Sequence, residues 1–196
     1  MAGRRPGPGD PHVSVQLLPA AGRTVVPWKN GGGVTREILV RPEGADMSGF
    51  AWRVSLADVR ADGPFSAFAG VDRILTMVEG AGMDLTVGDA RRLVDTRYVP
   101  QRFPGDLPTG CRLLGGPVVN LNVMWNRGGS VAPGVEVLLP GDGVAVPAGP
   151  AVLVVALGAS AELAGLSLGC YDAAVLSAQP VTLRGAGPVA VIRVDA

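Results

Sequence analysis

The chain has 196 residues, enough for one large β domain or two small fused barrels, and 47% of them are apolar, ample for a core. Its 17 basic and 17 acidic residues cancel. A nucleic-acid binder carries a basic excess, so that class is set aside.

The first eleven residues, Met1 to Pro11, are rich in Gly, Pro and Arg and lack an apolar run. They read as neither a signal peptide nor a strand, and residues 1–12 are expected to form a disordered tail. Beyond the tail the pattern is nearly all strand. Strands are predicted over Val13–Leu18, Val34–Val40, Ala51–Val59, Ile74–Val78, Asp84–Val87, Arg91–Val94 and Arg112–Leu114. The long alternating Val118–Asn126 follows, then Gly134–Leu139, Val144–Val146, Ala151–Ala156, Ala161–Leu168, Val181–Leu183 and Val189–Val194. A single short helix is placed near Ser167–Ser177. Turn signals such as Glu79-Gly80, Gly88-Asp89 and Pro140-Gly141-Asp142-Gly143 separate these runs, which is the pattern of a sandwich or barrel. Val144 to Ala161 carries no charge, but Pro147, Gly149 and Pro150 interrupt it. That suits a buried strand, not a membrane span, and a cytoplasmic protein that meets no membrane is expected. Cys111 and Cys170 are far apart, fit no CxxC pattern and read as reduced thiols.

Chemistry concentrates in Val26-Pro27-Trp28-Lys29-Asn30-Gly31-Gly32-Gly33-Val34-Thr35-Arg36-Glu37. Three glycines permit backbone conformations that side chains forbid, and they open directly into a strand. An indole, an ammonium, an amide, a guanidinium and a carboxylate are packed around them. The plain alternative is a hairpin turn with surface charges.

This stretch resembles the opening signature of the HutD/Ves family. Two further blocks match in the same order. One is Trp52-Arg53-Val54-Ser55-Leu56-Ala57-Asp58-Val59, continuing through Gly63 to Arg73; the other is Gly116-Pro117-Val118-Val119-Asn120-Leu121-Asn122-Val123-Met124. Together they cover about residues 24–127. The resemblance implies an all-β bicupin, two fused double-stranded β-helix (jelly-roll) barrels, with a role in histidine utilisation or small-molecule sensing. It is laid out here as an N-terminal barrel over 13–115 and a C-terminal barrel over 116–196. The Leu138–Gly149 stretch, with its Pro-Gly-Asp-Gly turn, fits the cupin rhythm and points to a degenerate internal repeat. In the family an acid commonly stands where Asn120 stands, so a charged role there is in doubt.

A metal-binding cupin presents three histidines and a glutamate, whereas this chain has one histidine, His12, in the tail. No metal and no cofactor are therefore expected. The same shortage removes Ser-His-Asp and Cys-His catalysis and leaves no assigned catalytic residue. Binding is thus favoured over catalysis.

Strand alternation places Leu121, Val123 and Trp125 on one face and Asn120, Asn122, Met124 and Asn126 on the other. Arg53, Ser55 and Ala57 likewise oppose Trp52, Val54 and Leu56. The polar face is either solvent or a barrel interior that holds a polar ligand; the resemblance favours the interior for Asn122 and Met124. Lys29, Asn30, Arg36, Arg53 and Asn122 are expected to converge on one pocket, with guanidinium groups gripping a carboxylate. Strict alternation puts Arg36 on the face of Val34 and Ile38, away from Thr35 and Glu37. Should that face be sealed, Thr35 and Glu37 line the pocket in its place and the ligand is donor-rich or cationic. Phe65, Phe68 and Asp72-Arg73 read as a structural loop at the barrel mouth.

Three functions fit these readings. The first is a protein that binds a small carboxylate, in the family's context urocanate or formylglutamate. The second is a metal-independent isomerase or hydrolase with Lys29 or Glu37 as base. The third is a scaffold whose barrels mediate a homodimer.

Overall fold

The computed structural model describes residues 14–129, 132–147, 149, 151–177 and 179–195; the expected tail, with His12, lies outside the described residues. Among these there are nineteen strands and no helix. In chain order they are β1 (Ser14–Leu18), β2 (Val25–Pro27), β3 (Gly33–Arg41), β4 (Trp52–Val59), β5 (Gly63–Phe65), β6 (Val71–Glu79), β7 (Met83–Val87), β8 (Ala90–Val94), β9 (Gln101–Pro104), β10 (Thr109–Leu113) and β11 (Val118–Asn126). There follow β12 (Ala132–Leu138), β13 (Gly141–Val146), β14 (Val152–Ala156), β15 (Ala161–Leu163), β16 (Leu166–Leu168), β17 (Ala173–Ser177), β18 (Val181–Gly185) and β19 (Val189–Asp195).

The strands form two barrels with one plan. The first closes a six-stranded sheet, β2-β3-β4-β11-β6-β9, over a four-stranded one, β5-β10-β7-β8. The second closes β1-β17-β14-β19-β12 over β13-β18-β15-β16. The order β4-β11-β6-β9 recurs as β12-β19-β14-β17, and β5-β10-β7-β8 as β13-β18-β15-β16. Even a rare backbone feature repeats. Tyr98, before β9, and Tyr171, before β17, both have positive φ (67° and 65°). Their N–H groups donate to equivalent carbonyls, Met77 O at 2.9 Å and Ala156 O at 2.7 Å.

Three expectations shift here. β11 is central to the first barrel's larger sheet, so that barrel runs past residue 115, and β1 pairs with β17 in the second. The helix over Ser167–Ser177 does not form. β16 and β17 occupy that stretch, because Tyr171 turns the chain and β17 is claimed on both sides by β1 and β14. The run Ala161–Leu168 is a hairpin, not one strand. Ala164 and Gly165, at φ 51° and 77°, supply the two left-handed residues of a tight turn.

Three larger apolar cores follow from alternation, beside a small one of Val40, Phe50, Val71 and Met124. One lies between the barrels. Trp52, Val54 and Leu56 of β4 and Leu121, Val123 and Trp125 of β11 pack on Leu153, Val155, Ile192 and Val194 of the second barrel. The other two fill the barrels themselves. Since the outward face of β4 and β11 is sealed in this way, their polar face is the interior of the first barrel. The uncharged Val144–Ala161 stretch supplies β13 and β14, and among the described residues no helix is long and apolar enough to cross a membrane.

Candidate functional site

The glycine-rich turn is explained by its own backbone. Gly31 has φ +72°, and its N–H donates to Trp28 O at 3.0 Å. At Gly33 a Cβ would stand 2.3 Å from Asp58 O, so only glycine lets β3 begin against β4. Asn30 shapes the turn: its Oδ1 accepts from Gly32 N–H at 3.0 Å, and its Nδ2 reaches Pro64 O at 3.4 Å. Trp28 donates from Nε1 to Thr35 Oγ1 at 2.8 Å and meets Phe65 edge to face, with centroids 5.9 Å apart. Lys29 is exposed at the tip and makes no hydrogen bond or ion pair among the described residues. Lys29 and Asn30 therefore belong to the turn and its contact with β5, not to the barrel interior.

The two guanidinium groups expected to act together lie on opposite faces. Register pairs Arg36 with Leu56, and Glu37 with Ser55, so Arg36 points outward. There it grips Asp58 with two bonds, Nη1 to Oδ1 at 2.6 Å and Nη2 to Oδ2 at 2.9 Å. The five-residue convergence is thereby corrected. Thr35, Glu37, Arg53, Ser55, Asn122 and Met124 share the inner face. Arg53 donates from Nε to Glu37 Oε2 at 2.7 Å, and this pair sits where the interior opens, with Arg53 14% and Glu37 44% exposed. A bulge between Glu37 and Leu39 then breaks the alternation and returns Val40 to the inner face beside Arg53.

The cation that occupies the interior is one that sequence reasoning assigned to a loop. β6 begins at Val71, so Arg73, Leu75 and Met77 alternate inward opposite Met124, Asn122 and Asn120. Arg73 is 7% exposed. Its guanidinium lies between two rings, 5.4 Å from the Phe65 centroid and 5.3 Å from that of Phe103. Nη2 donates to Asn122 Oδ1 at 3.1 Å, while Nε is buried with no hydrogen-bond partner among the described residues. No carboxylate among the described residues comes within ion-pairing distance. Burial pushes the guanidinium pKa down to about 10, so it remains charged at neutral pH. Beyond Asn122 on the same strand face, Asn120 is fully buried. Its Nδ2 meets only Met83 Sδ at 3.9 Å, and its Oδ1 has no partner among the described residues. The signal for Arg73 was available: continuing the strand pattern of Ile74–Val78 back by three residues sets one charge on a wholly apolar face.

This interior chamber is filled by adaptable side chains rather than left open. Met77, Met83 and Met124 surround the two amides and the guanidinium, and methionine repacks at little cost. A surface groove of about 460 Å³ is lined by Pro64, Phe65, Thr86 and Thr109, and Phe65 also meets the Arg73 guanidinium. A second, of about 310 Å³, is lined by Met47, Phe50, Phe68 and Asn126. Among the described residues no three His, Cys, Asp or Glu side chains group as metal ligands.

Comparison with known proteins places this geometry. An uncharacterised 21.2 kDa protein from the hutC 3′ region of Pseudomonas putida is 40% identical over 111 residues, 57% of this chain and 58% of that protein. Protein Ves of Cronobacter sakazakii is 36% identical over 101 residues, 51% of this chain and 54% of that one. The chain thus spans little more than half the length of these curated relatives. The solved structure of HutD from Pseudomonas fluorescens SBW25 is 29% identical, covers 93% of this chain and 98% of its own, and superposes with a TM-score of 0.81. Oxalate decarboxylase of Bacillus subtilis, at 10% identity and a TM-score of 0.64, shares the cupin fold alone. The HutD family model matches residues 20–192, and the chain belongs to the HutD family.

Proposed function

We propose that the first barrel binds a small carboxylate and that Arg73 is its anchor. The observation that carries this reading is the Arg73 guanidinium itself, buried and charged but held by a single amide. A buried cation without a counter-charge is costly, and an incoming carboxylate would supply both the charge and the missing acceptor for Nε. Asn122 orients the planar fork, and the two phenyl rings cover it from water. Ligand entry passes Phe65 from the groove outside. A relative named for the hutC region supports histidine utilisation as the setting, so urocanate and formylglutamate are the first acids to test. Among the described residues the barrel interior offers no histidine and no unpaired acid as a base, which favours binding over turnover.

The test is a thermal-shift and calorimetric titration with trans-urocanate and N-formyl-L-glutamate. At a hundredfold excess over Kd, the native protein gains about 2.7 kcal/mol of stability. Arg73→Met loses that response, and product analysis finds both acids unchanged. A native protein indifferent to these acids, or an Arg73→Met variant that binds them equally well, removes the reading.

A further inference from the structure

Three buried polar atoms of the described residues lack a partner: Arg73 Nε, Asn120 Oδ1 and Thr76 Oγ1. Thr76 pairs with Leu121, so it faces the core between the barrels. The other two share the interior of the first barrel. One is a donor and the other an acceptor, so what would satisfy them has two unlike ends.

We infer that Asn120 is a specificity-determining residue of this chamber, selecting carboxylates that also carry an N–H or O–H donor about 7 Å from the carboxylate. The inference rests on the anchoring role of Arg73 proposed above. The spacing comes from the strand. Asn122, whose Oδ1 already serves Arg73, and Asn120 stand two residues apart on one face of β11, which is about 6.8 Å. The required polarity comes from the amide. Its Nδ2 is turned to the Met83 sulfur, a weak acceptor, which leaves the carbonyl oxygen unmet. Asn120 has no visible duty to the fold. It bonds to no backbone group, and its neighbours Met77, Met83, Leu85 and Val118 would accept a leucine. A fully buried amide with half its capacity idle is explained by a donor that arrives with the ligand.

The experiment compares two acids on one five-carbon backbone, glutaramate, which ends in an N–H donor, and monomethyl glutarate, which does not and is longer by a methyl group. Calorimetry on the native protein is expected to show glutaramate binding at least about tenfold tighter, because its rival leaves Asn120 Oδ1 buried and unpaired. In Asn120→Leu the two acids bind within about twofold of each other, with the carboxylate still held by Arg73. Equal binding to the native protein overturns the inference while leaving the Arg73 reading intact. A preference that survives in Asn120→Leu overturns it as well. If the native protein binds neither acid, the anchoring role of Arg73 and this inference fall together.

Discussion

The two barrels share a strand order but not an interior. The second is filled by Val146, Val154, Leu163, Leu168, Ala174, Leu176, Leu183 and Val191, and among the described residues it buries no polar side chain. The first buries Ser55, Arg73, Asn120 and Asn122 among its apolar residues. One fold therefore holds with an apolar core among its described residues, and nothing in its topology requires the polar groups. Replacing a buried charge by a well-packed apolar residue is often neutral or stabilising. The first barrel keeps a charge that its twin does without, and the difference marks it as the half adapted to a ligand.

That contrast is broken most directly at Arg73. Arg73→Met keeps an unbranched, flexible side chain, shorter than arginine, and removes the charge. Affinity for a small carboxylate should fall by about 2–5 kcal/mol. Stability should hold or rise by about 1–4 kcal/mol, read from the midpoint of urea unfolding. A variant that loses both binding and stability would make Arg73 a structural residue. The mirror experiment is in the second barrel. Leu183 is fully buried, and Leu183→Ala should cost about 2–5 kcal/mol of stability with ligand affinity unchanged. An affinity that drops with it would mean that the second barrel contributes to the site.

How far the sequence foretold this contrast depends on the length of each element. Long strands with clear alternation were legible: Val118–Asn126 was read to the residue, and alternation set Asn122 and Met124 on one face, which the family resemblance, not the pattern, assigned to the interior. Apart from β17, which was read as helix, the strands that escaped are three or four residues long and contain proline: β2 ends in Pro27, β5 centres on Pro64 and β9 ends in Pro104. Each lies at the edge of its sheet, where a missing N–H does no harm, so the residue that hides them also explains their place. The turn Lys29–Gly33 drew attention because its chemistry is dense in sequence. Its density serves the close approach of β3 to β4, while the interior cation came from a strand whose first three residues read as loop. Sequence proximity was a poor guide because the chamber is built across β6 and β11, forty-odd residues apart along the chain and adjacent only through sheet pairing.

The smallest expected effect separates the two faces of the first barrel. Arg36 and Arg53 both lie in the signature blocks, yet they stand on opposite sides of one sheet. Arg36 holds Asp58 in a two-pronged pair, with the arginine side chain 32% and the aspartate 15% exposed. A pair so open to water contributes at most about 1 kcal/mol. Arg36→Ala should therefore lower the unfolding free energy by about that much, and less in high salt, which screens the pair. Carboxylate affinity should stay within about twofold of the native value, because the β4–β11 sheet stands between Arg36 and the chamber. Arg53→Ala makes the useful companion, since Arg53 shares the inner face with Asn122 but spends its charge on Glu37 at the opening. It should change affinity by less than Arg73→Met and by more than Arg36→Ala. Calorimetric titration of all three variants with one acid tests the order Arg73, Arg53, Arg36. If Arg36→Ala weakens binding as much as Arg53→Ala does, the outer face takes part in recognition, and the chamber alone does not account for the function.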